Sequence, residues 1–182
     1  MTTVVIPFRS GGKSRLPAEL RVEISLAMLA AVLAAASTAA ERVLLVTDDE
    51  AAAALAAEQG VGVVDDPGGG QGVAVQAALA GLDGACLVVN ADLPGARPSD
   101  LVELARIALG GAVAIVAAAD GTTNALGLPS AAAFAPLYGP ESAGRFRAHA
   151  LALGLEVRDL DLPGLAHDVD TVADLERIEV AT

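Results

Sequence analysis

Three carboxylates and a group of cations occupy positions from which they could act together on a phosphate. Asp92 closes the run Cys86-Leu87-Val88-Val89-Asn90-Ala91-Asp92-Leu93-Pro94. Its apolar part has the character of an interior strand of a parallel sheet, covered on both faces, and Pro94 forbids further ladder pairing. Asp92 is thereby placed at the carboxyl edge of the sheet, where open α/β folds hold their ligands. Asp168 and Asp170 stand two apart in His167-Asp168-Val169-Asp170. In extended backbone they point the same way. Two such carboxylates repel unless a cation lies between them, and hard oxygen ligands suit Mg2+. Arg9, Lys13 and Arg15 fall within seven residues around Gly11 and Gly12, and the whole chain has only 11 basic residues. Backbone amides of a glycine loop can aim at an anion, although the spacing here is not that of a P-loop. Together these groups suit phosphoryl or nucleotidyl transfer, where positioning and charge neutralisation do most of the work. Lys13 and metal ions would offset charge on a triphosphate as one phosphate oxygen attacks another phosphorus. Each group also has a plainer reading, as a turn, a solvated basic loop or a helix cap.

The elements that must hold these groups follow from the hydrophobic pattern. Val4-Val5-Ile6-Pro7 reads as the first strand, and the basic loop leads from it into an alanine-rich helix. Glu41 to Thr47 reads as a second strand, with Asp48-Asp49 capping a helix over Glu50 to Gln59. Gly60 ends that helix, and Val61 to Asp65 gives a third strand. Pro67-Gly68-Gly69-Gly70-Gln71-Gly72 precedes a helix over Val73 to Leu82, which leads to the Asp92 strand. A helix over Pro98 to Leu109 and a fifth apolar strand over Gly111 to Ala119 follow, ending in the turn-like Asp120-Gly121-Thr122-Thr123-Asn124. Gly139-Pro140-Glu141-Ser142 opens another helix, a natural seat for a phosphate or carboxylate. Leu155 to Leu160 is the last clear strand, and Thr171 to Asp174 starts a final helix. Strand and helix alternate with short connections, which points to an α/β fold with a right-handed, mostly parallel sheet. Without internal repeats or a long linker, residues 1–182 are expected to form one domain.

Composition narrows the function. The chain has 182 residues, 54% hydrophobic but only 2% aromatic, so its core must be built from Val, Leu, Ile and Ala. The net charge of −12 argues against nucleic acid, because no basic tract exists to neutralise a polyphosphate backbone. Ile24 to Ala40 carries no charge, yet it is mostly Ala, Ser and Thr where a spanning helix needs about 20 strongly apolar residues; a buried helix and no membrane partner are expected. The chain opens on a β-like run and not on a signal peptide, and its single Cys86 cannot form an internal disulfide. A cytoplasmic location is expected.

Pro7-Phe8-Arg9 followed by Lys13-Ser14-Arg15-Leu16, with Asn90-Ala91-Asp92-Leu93-Pro94, Gly121-Thr122-Thr123-Asn124-Ala125-Leu126, the Gly139 to His149 segment and His167-Asp168-Val169-Asp170-Thr171, together resemble the phosphoenolpyruvate or 2-phospho-L-lactate guanylyltransferases of deazaflavin coenzyme biosynthesis. The resemblance covers nearly the whole chain in order. The wider superfamily, which resembles the molybdenum-cofactor nucleotidyltransferases, shares the nucleotide-binding sheet but not the Gly-Thr-Thr-Asn or Gly-x-x-Ser elements in this form.

The resemblance implies a three-layer Rossmann-like nucleotidyltransferase fold, and transfer of GMP from GTP to the phosphate of phosphoenolpyruvate or phospholactate with release of pyrophosphate. It implies that Asp92, Asp168 and Asp170 hold Mg2+, and that Lys13, Thr123, Gly139 and Ser142 contact the phospho-acid. The nucleotide would lie over Gly11, Gly12 and Lys13 and over the glycine-rich loop before the third helix, Pro67 to Gly72, with Arg15 and Gln76 beside it, and Lys13 and Asp92 would be catalytic. The chain departs from the family pattern in two places: Arg9 stands where the family tends to have Lys, and Val75-Gln76-Ala77 stands for Leu-Asn-Ala. Arg9 keeps the charge but not the shape, and Gln76 bears on the base preference. Two further readings stay open. One is a nucleotidyltransferase with a sugar-phosphate or pterin acceptor. The other is a non-catalytic nucleotide-binding module, whose binding would not need Mg2+ and would survive Asp92→Asn. An alanine-rich, aromatic-poor surface permits a homodimer, and a labile diphosphate diester product would favour hand-over to the next enzyme.

Overall fold

The computed structural model describes residues 2–9 and 18–168. The strands are β1 (Thr2–Pro7), β2 (Arg42–Thr47), β3 (Gly62–Asp65), β4 (Ala85–Val89), β5 (Val113–Ala117), β6 (Thr123–Leu128) and β7 (Val157–Asp159). The helices are α1 (Ala18–Ala39), α2 (Glu50–Glu58), α3 (Gln71–Leu79), α4 (Pro98–Leu109), α5 (Ser142–Ala152) and the short α6 (Pro163–Ala166). The strands form one sheet in the order β3-β2-β1-β4-β6-β5-β7, in which only β6 runs antiparallel to its neighbours. The expected mostly parallel α/β fold is therefore present.

The central strands are apolar throughout because both faces are covered. All five residues of β4 are buried, as are the first five of β1. Successive side chains alternate between two cores. Val4, Ile6, Leu87 and Val89 join Leu29 and Leu33 of α1 and Leu101 and Leu104 of α4 on one side. Val5, Cys86 and Val88 join Val75 of α3 and Phe146 of α5 on the other. Such continuous runs of Val, Leu and Ile are what a sheet sandwiched between helices requires.

The expected buried helix is α1, but only one of its faces is buried. Leu29, Val32, Leu33 and Ala36 are buried against the core, while Val22, Ala27 and Ala34 are exposed. By length and composition alone α1 could also cross a membrane; its apolar stripe is occupied here by the sheet together with α2 and α4.

The Asp120 to Asn124 turn proves to be the entry to a strand. Asp120 Oδ1 accepts from Thr122 N and Thr122 Oγ1 at 2.9 and 2.6 Å, Gly121 takes φ +82°, and Thr123 begins β6 between β4 and β5. Thr-Asn-Ala-Leu-Gly-Leu has little strand character of its own. All six residues are nevertheless buried, so tertiary burial overrides propensity. Gly127 is required inside this strand, because a Cβ there would lie 2.9 Å from Leu104 O of α4.

Sheet order also locates the ligand crevice. The chain passes outward from β1 to β2 and β3, then returns to place β4 on the other flank of β1. At such a switch point the loops leaving β1 and β4 part in opposite directions and open a crevice at the carboxyl ends of the strands.

Candidate active site

A cleft of about 290 Å³ lies at that switch point, lined by Phe8 and Arg9 after β1, Ser25 and Met28 of α1, Asp66 after β3, Gln71 and Ala74 of α3, and Asn90 and Asp92 after β4. Asp92 thus stands at the carboxyl edge, as its strand-terminal position predicts.

Arg9 and Asp66 form the charged wall. Arg9 Nε donates to Asp66 Oδ2 at 2.6 Å, and Gly68 N donates to Asp66 Oδ1 at 2.9 Å. The Asp66 side chain is 2% exposed and that of Arg9 43%, so the carboxylate anchors a guanidinium that remains accessible. The Arg9 hydrogen bond holds the Asp66 carboxyl below its ordinary range, with help from the Gly68 amide. The charge at Arg9 is therefore present together with the shape of a fork. Gly68, Gly69 and Gly70 all take positive φ, which explains the glycine run: the chain turns from Asp66 into α3 through backbone that side chains disfavour.

A second group of polar residues adjoins the cleft through Asn90. Asn90 Oδ1 accepts from Gln71 Nε2 at 2.7 Å, and Asn90 Nδ2 donates to Thr123 O at 3.1 Å. Thr123 Oγ1 lies 3.0 Å from Ser142 Oγ. Both side chains are buried, so the first residues of β6 and α5 are brought together. Ala143 N donates to Gly121 O at 3.2 Å, which fastens the start of α5 to the hairpin. Ahead of α5, Gly139 takes φ +116° and Glu141 the left-handed φ of 56°. Arg145 Nη2 donates to Tyr138 O, setting a cation beside the Gly139 turn. Beneath this turn Phe134, Tyr138 and Phe146 pack ring against ring, with centroids 5.2 to 6.2 Å apart. Thr123, Gly139 and Ser142 are thus neighbours, as the resemblance implies.

The third part is the return of the chain after β7. Asn124 Nδ2 donates to Leu165 O at 3.0 Å, and Gly164 meets Gly95 O and the Asp100 carboxylate so closely that it admits no Cβ. These contacts hold α6 against the turn that follows Asp92. Asp168 comes two residues after α6. The segments bearing Asp92 and Asp168 are therefore fastened together, and their carboxylate oxygens are the hard donors a divalent ion such as Mg2+ prefers. Among the described residues no three His, Cys, Asp or Glu side chains form a metal cluster. Asp170, the third expected carboxylate, lies outside the described residues, as do Gly11, Gly12, Lys13, Arg15 and the final helix.

Gln76 is placed differently from the expectation. It is exposed on α3, and Gln71, one and a half turns earlier, is the glutamine that lines the cleft. Asp66 and Ser25 carry no sequence motif that marks them, whereas Gln71 belongs to the glycine run before the third helix. Asp66 did offer one signal, since it is a carboxylate immediately beyond a strand, as Asp92 is a carboxylate three residues beyond one. Ser25 Oγ is buried in the cleft wall with no hydrogen-bond partner among the described residues.

The family model described as the MobA-like NTP transferase domain matches residues 11–153. A phosphoenolpyruvate guanylyltransferase from Nocardia farcinica is 41% identical over 104 residues, covering 57% of this chain and 43% of that protein. Phosphoenolpyruvate guanylyltransferase 2 from Rhodococcus jostii is 35% identical over 181 residues, covering 96% and 82%. The chain spans less than half the length of the relatives from Nocardia farcinica, Rubrobacter xylanophilus and Rhodococcus erythropolis. Among solved structures, a nucleotidyl transferase from Methanothermobacter superposes with a TM-score of 0.73 at 18% identity, covering 100% of this chain and 97% of that one. A Mycobacterium tuberculosis protein solved in complex with manganese has a TM-score of 0.62 at 23% identity, covering 97% and 96%. These structural likenesses carry the fold.

Proposed function

The chain belongs to the MobA-like NTP transferase family and is a relative of the phosphoenolpyruvate guanylyltransferases, and on that footing we propose that it transfers GMP from GTP to the phosphate of phosphoenolpyruvate. A phosphate oxygen of the acceptor attacks the α-phosphorus of GTP. The bond from that phosphorus to the oxygen leading to the β-phosphate breaks, and its electron pair leaves with pyrophosphate. The acceptor phosphate is already ionised, so the step calls for no general base. What the protein must supply is alignment and charge neutralisation.

The described residues divide that work. The Arg9 guanidinium, held by Asp66, puts positive charge in the nucleotide cleft. The hydroxyls of Thr123 and Ser142 and the backbone of Gly139 receive the phospho-acid, with Arg145 beside them. Lys13 adds a cation from the basic loop. Asp92 and Asp168, with Asp170, would hold Mg2+, which when bound neutralises charge on the polyphosphate. The chain acts as one domain over 1–182, in the cytoplasm where both substrates are at hand, and its labile product suits direct delivery to the next enzyme.

The observation that carries this reading is the likeness to the Rhodococcus jostii relative, which spans both the cleft and the acceptor seat. The test is pyrophosphate release with Mg2+ and each of GTP, ATP and CTP, crossed with phosphoenolpyruvate, phospholactate and phosphoglycerate, with products identified by mass. A guanylylated phosphoenolpyruvate is expected. Silence across the grid would overturn the reading, and a product with another acid would move the acceptor.

A further inference from the structure

The cleft and the acceptor seat are joined through two carboxamides whose polarity is determined by one backbone atom. Asn90 Nδ2 donates to Thr123 O, and a main-chain carbonyl can only accept. Asn90 must therefore turn its amino group toward β6 and its Oδ1 the other way. Gln71 meets that oxygen at 2.7 Å. Because one oxygen cannot donate to another, Gln71 in turn must present its Nε2. The end left over is Gln71 Oε1. The bond to Asn90 is the one hydrogen bond the Gln71 side chain makes among the described residues. Gln71 lines the cleft as the first residue of α3, beside an N-cap glycine that has no side chain to cover it. Reversing Asn90 would set an amino group against an amino group and an oxygen against an oxygen, and both bonds would be lost.

We infer that Gln71 offers the bound nucleotide a carbonyl oxygen, and that Asn90 is the positioning residue that imposes this polarity. The group accepted from is a nucleoside N–H or O–H donor: the exocyclic amine of guanine or the ribose 2′-hydroxyl. A site arranged to accept such a bond rejects the analogue that lacks it, since the acceptor is then left unpaired. The inference rests on the guanylyl transfer proposed above, and it assigns a specificity role to the one polar side chain in the glycine run Pro67 to Gly72.

The test is equilibrium binding of GTP, ITP and 2′-deoxy-GTP with Mg2+ to the full chain, to Gln71→Met and to Asn90→Ala. The unsubstituted protein is expected to bind one of the two analogues about tenfold more weakly than GTP, which identifies the donor. Gln71→Met should bind GTP as weakly as that analogue and hold the analogue unchanged, so the discrimination disappears. Asn90→Ala should lose it as well. A purely structural role would weaken all three nucleotides alike. Equal weakening in Gln71→Met, absence of discrimination in the parent chain, or full discrimination in Asn90→Ala would each overturn the inference while leaving guanylyl transfer standing. A parent chain that binds no guanine nucleotide would overturn both.

Discussion

Thr123 Oγ1 and Ser142 Oγ lie 3.0 Å apart although 19 residues separate them, and the two residues are only 2% and 0% exposed. One hydroxyl donates to the other, and the accepting hydroxyl keeps its own O–H to donate to an ionised acid. Thr123→Val and Ser142→Ala should each raise the KM for the phospho-acid about tenfold and leave that for GTP nearly unchanged. The double variant should cost less than the sum of the two, because the groups are in contact. Steady-state kinetics with each substrate varied in turn checks this, and additive losses would show that the hydroxyls act separately.

Asp168→Asn should lower turnover by on the order of 10²–10³-fold while leaving the far-ultraviolet spectrum and melting temperature close to those of the parent. The substitution keeps the shape and removes the charge a metal requires. Mn2+ titration followed by water-proton relaxation should show weakened binding in the same variant. Unchanged turnover in a folded Asp168→Asn protein would remove this carboxylate from the metal site.

Gly164→Ala should destabilise the fold by about 1–3 kcal/mol, since the added carbon would meet Gly95 O, a backbone atom that cannot swing away. The variant should also bind Mn2+ more weakly, because displacing α6 separates the segments that carry Asp92 and Asp168. Chemical denaturation and the same relaxation titration measure both effects.

Gly144→Ala should do the opposite. Gly144 lies inside α5 with nothing within 4 Å of an added Cβ, so the helix gains about 0.5–1 kcal/mol from the lost flexibility of glycine. A raised melting temperature is the expected outcome.

The Asp66 carboxyl has a folded pKa below its unfolded value, owing first to the Arg9 hydrogen bond. A group of this kind contributes stability that is complete above the unfolded pKa and is lost as pH falls through the folded one. Melting temperature should therefore drop as pH is lowered below the ordinary carboxylate range of about 4. Asp66→Asn should lower the melting temperature at neutral pH and flatten that acid limb. A parallel acid limb in the variant would place the pH dependence on other carboxylates.

Much of the layout was legible in the chain itself. Cys86 to Val89 and Val4 to Ile6 are apolar at every position, a pattern only a doubly covered strand needs, and Pro94 marks where pairing must stop. That was sufficient to place Asp92 at the carboxyl edge beside the loop after β1. The segments of Thr123, Gly139 and Ser142 were also recognisable as motifs.

What the sequence by itself determined, then, was period and punctuation: which runs are buried on both faces, where strands end, and which charges stand at those ends. The tertiary structure decided everything that depends on partners far apart in the chain. Thr123 to Leu128 becomes a central antiparallel strand because burial between β4 and β5 outweighs its weak propensity. Gln71, not Gln76, faces the cleft, since the glycine run before it sets where α3 begins and which face it turns inward. Asp66 meets Arg9 across 57 residues, and Asn90 acquires its polarity from a carbonyl 33 residues away. Hydrogen bonds and close backbone contacts of that kind are set by geometry in three dimensions, and local spacing carries no record of them.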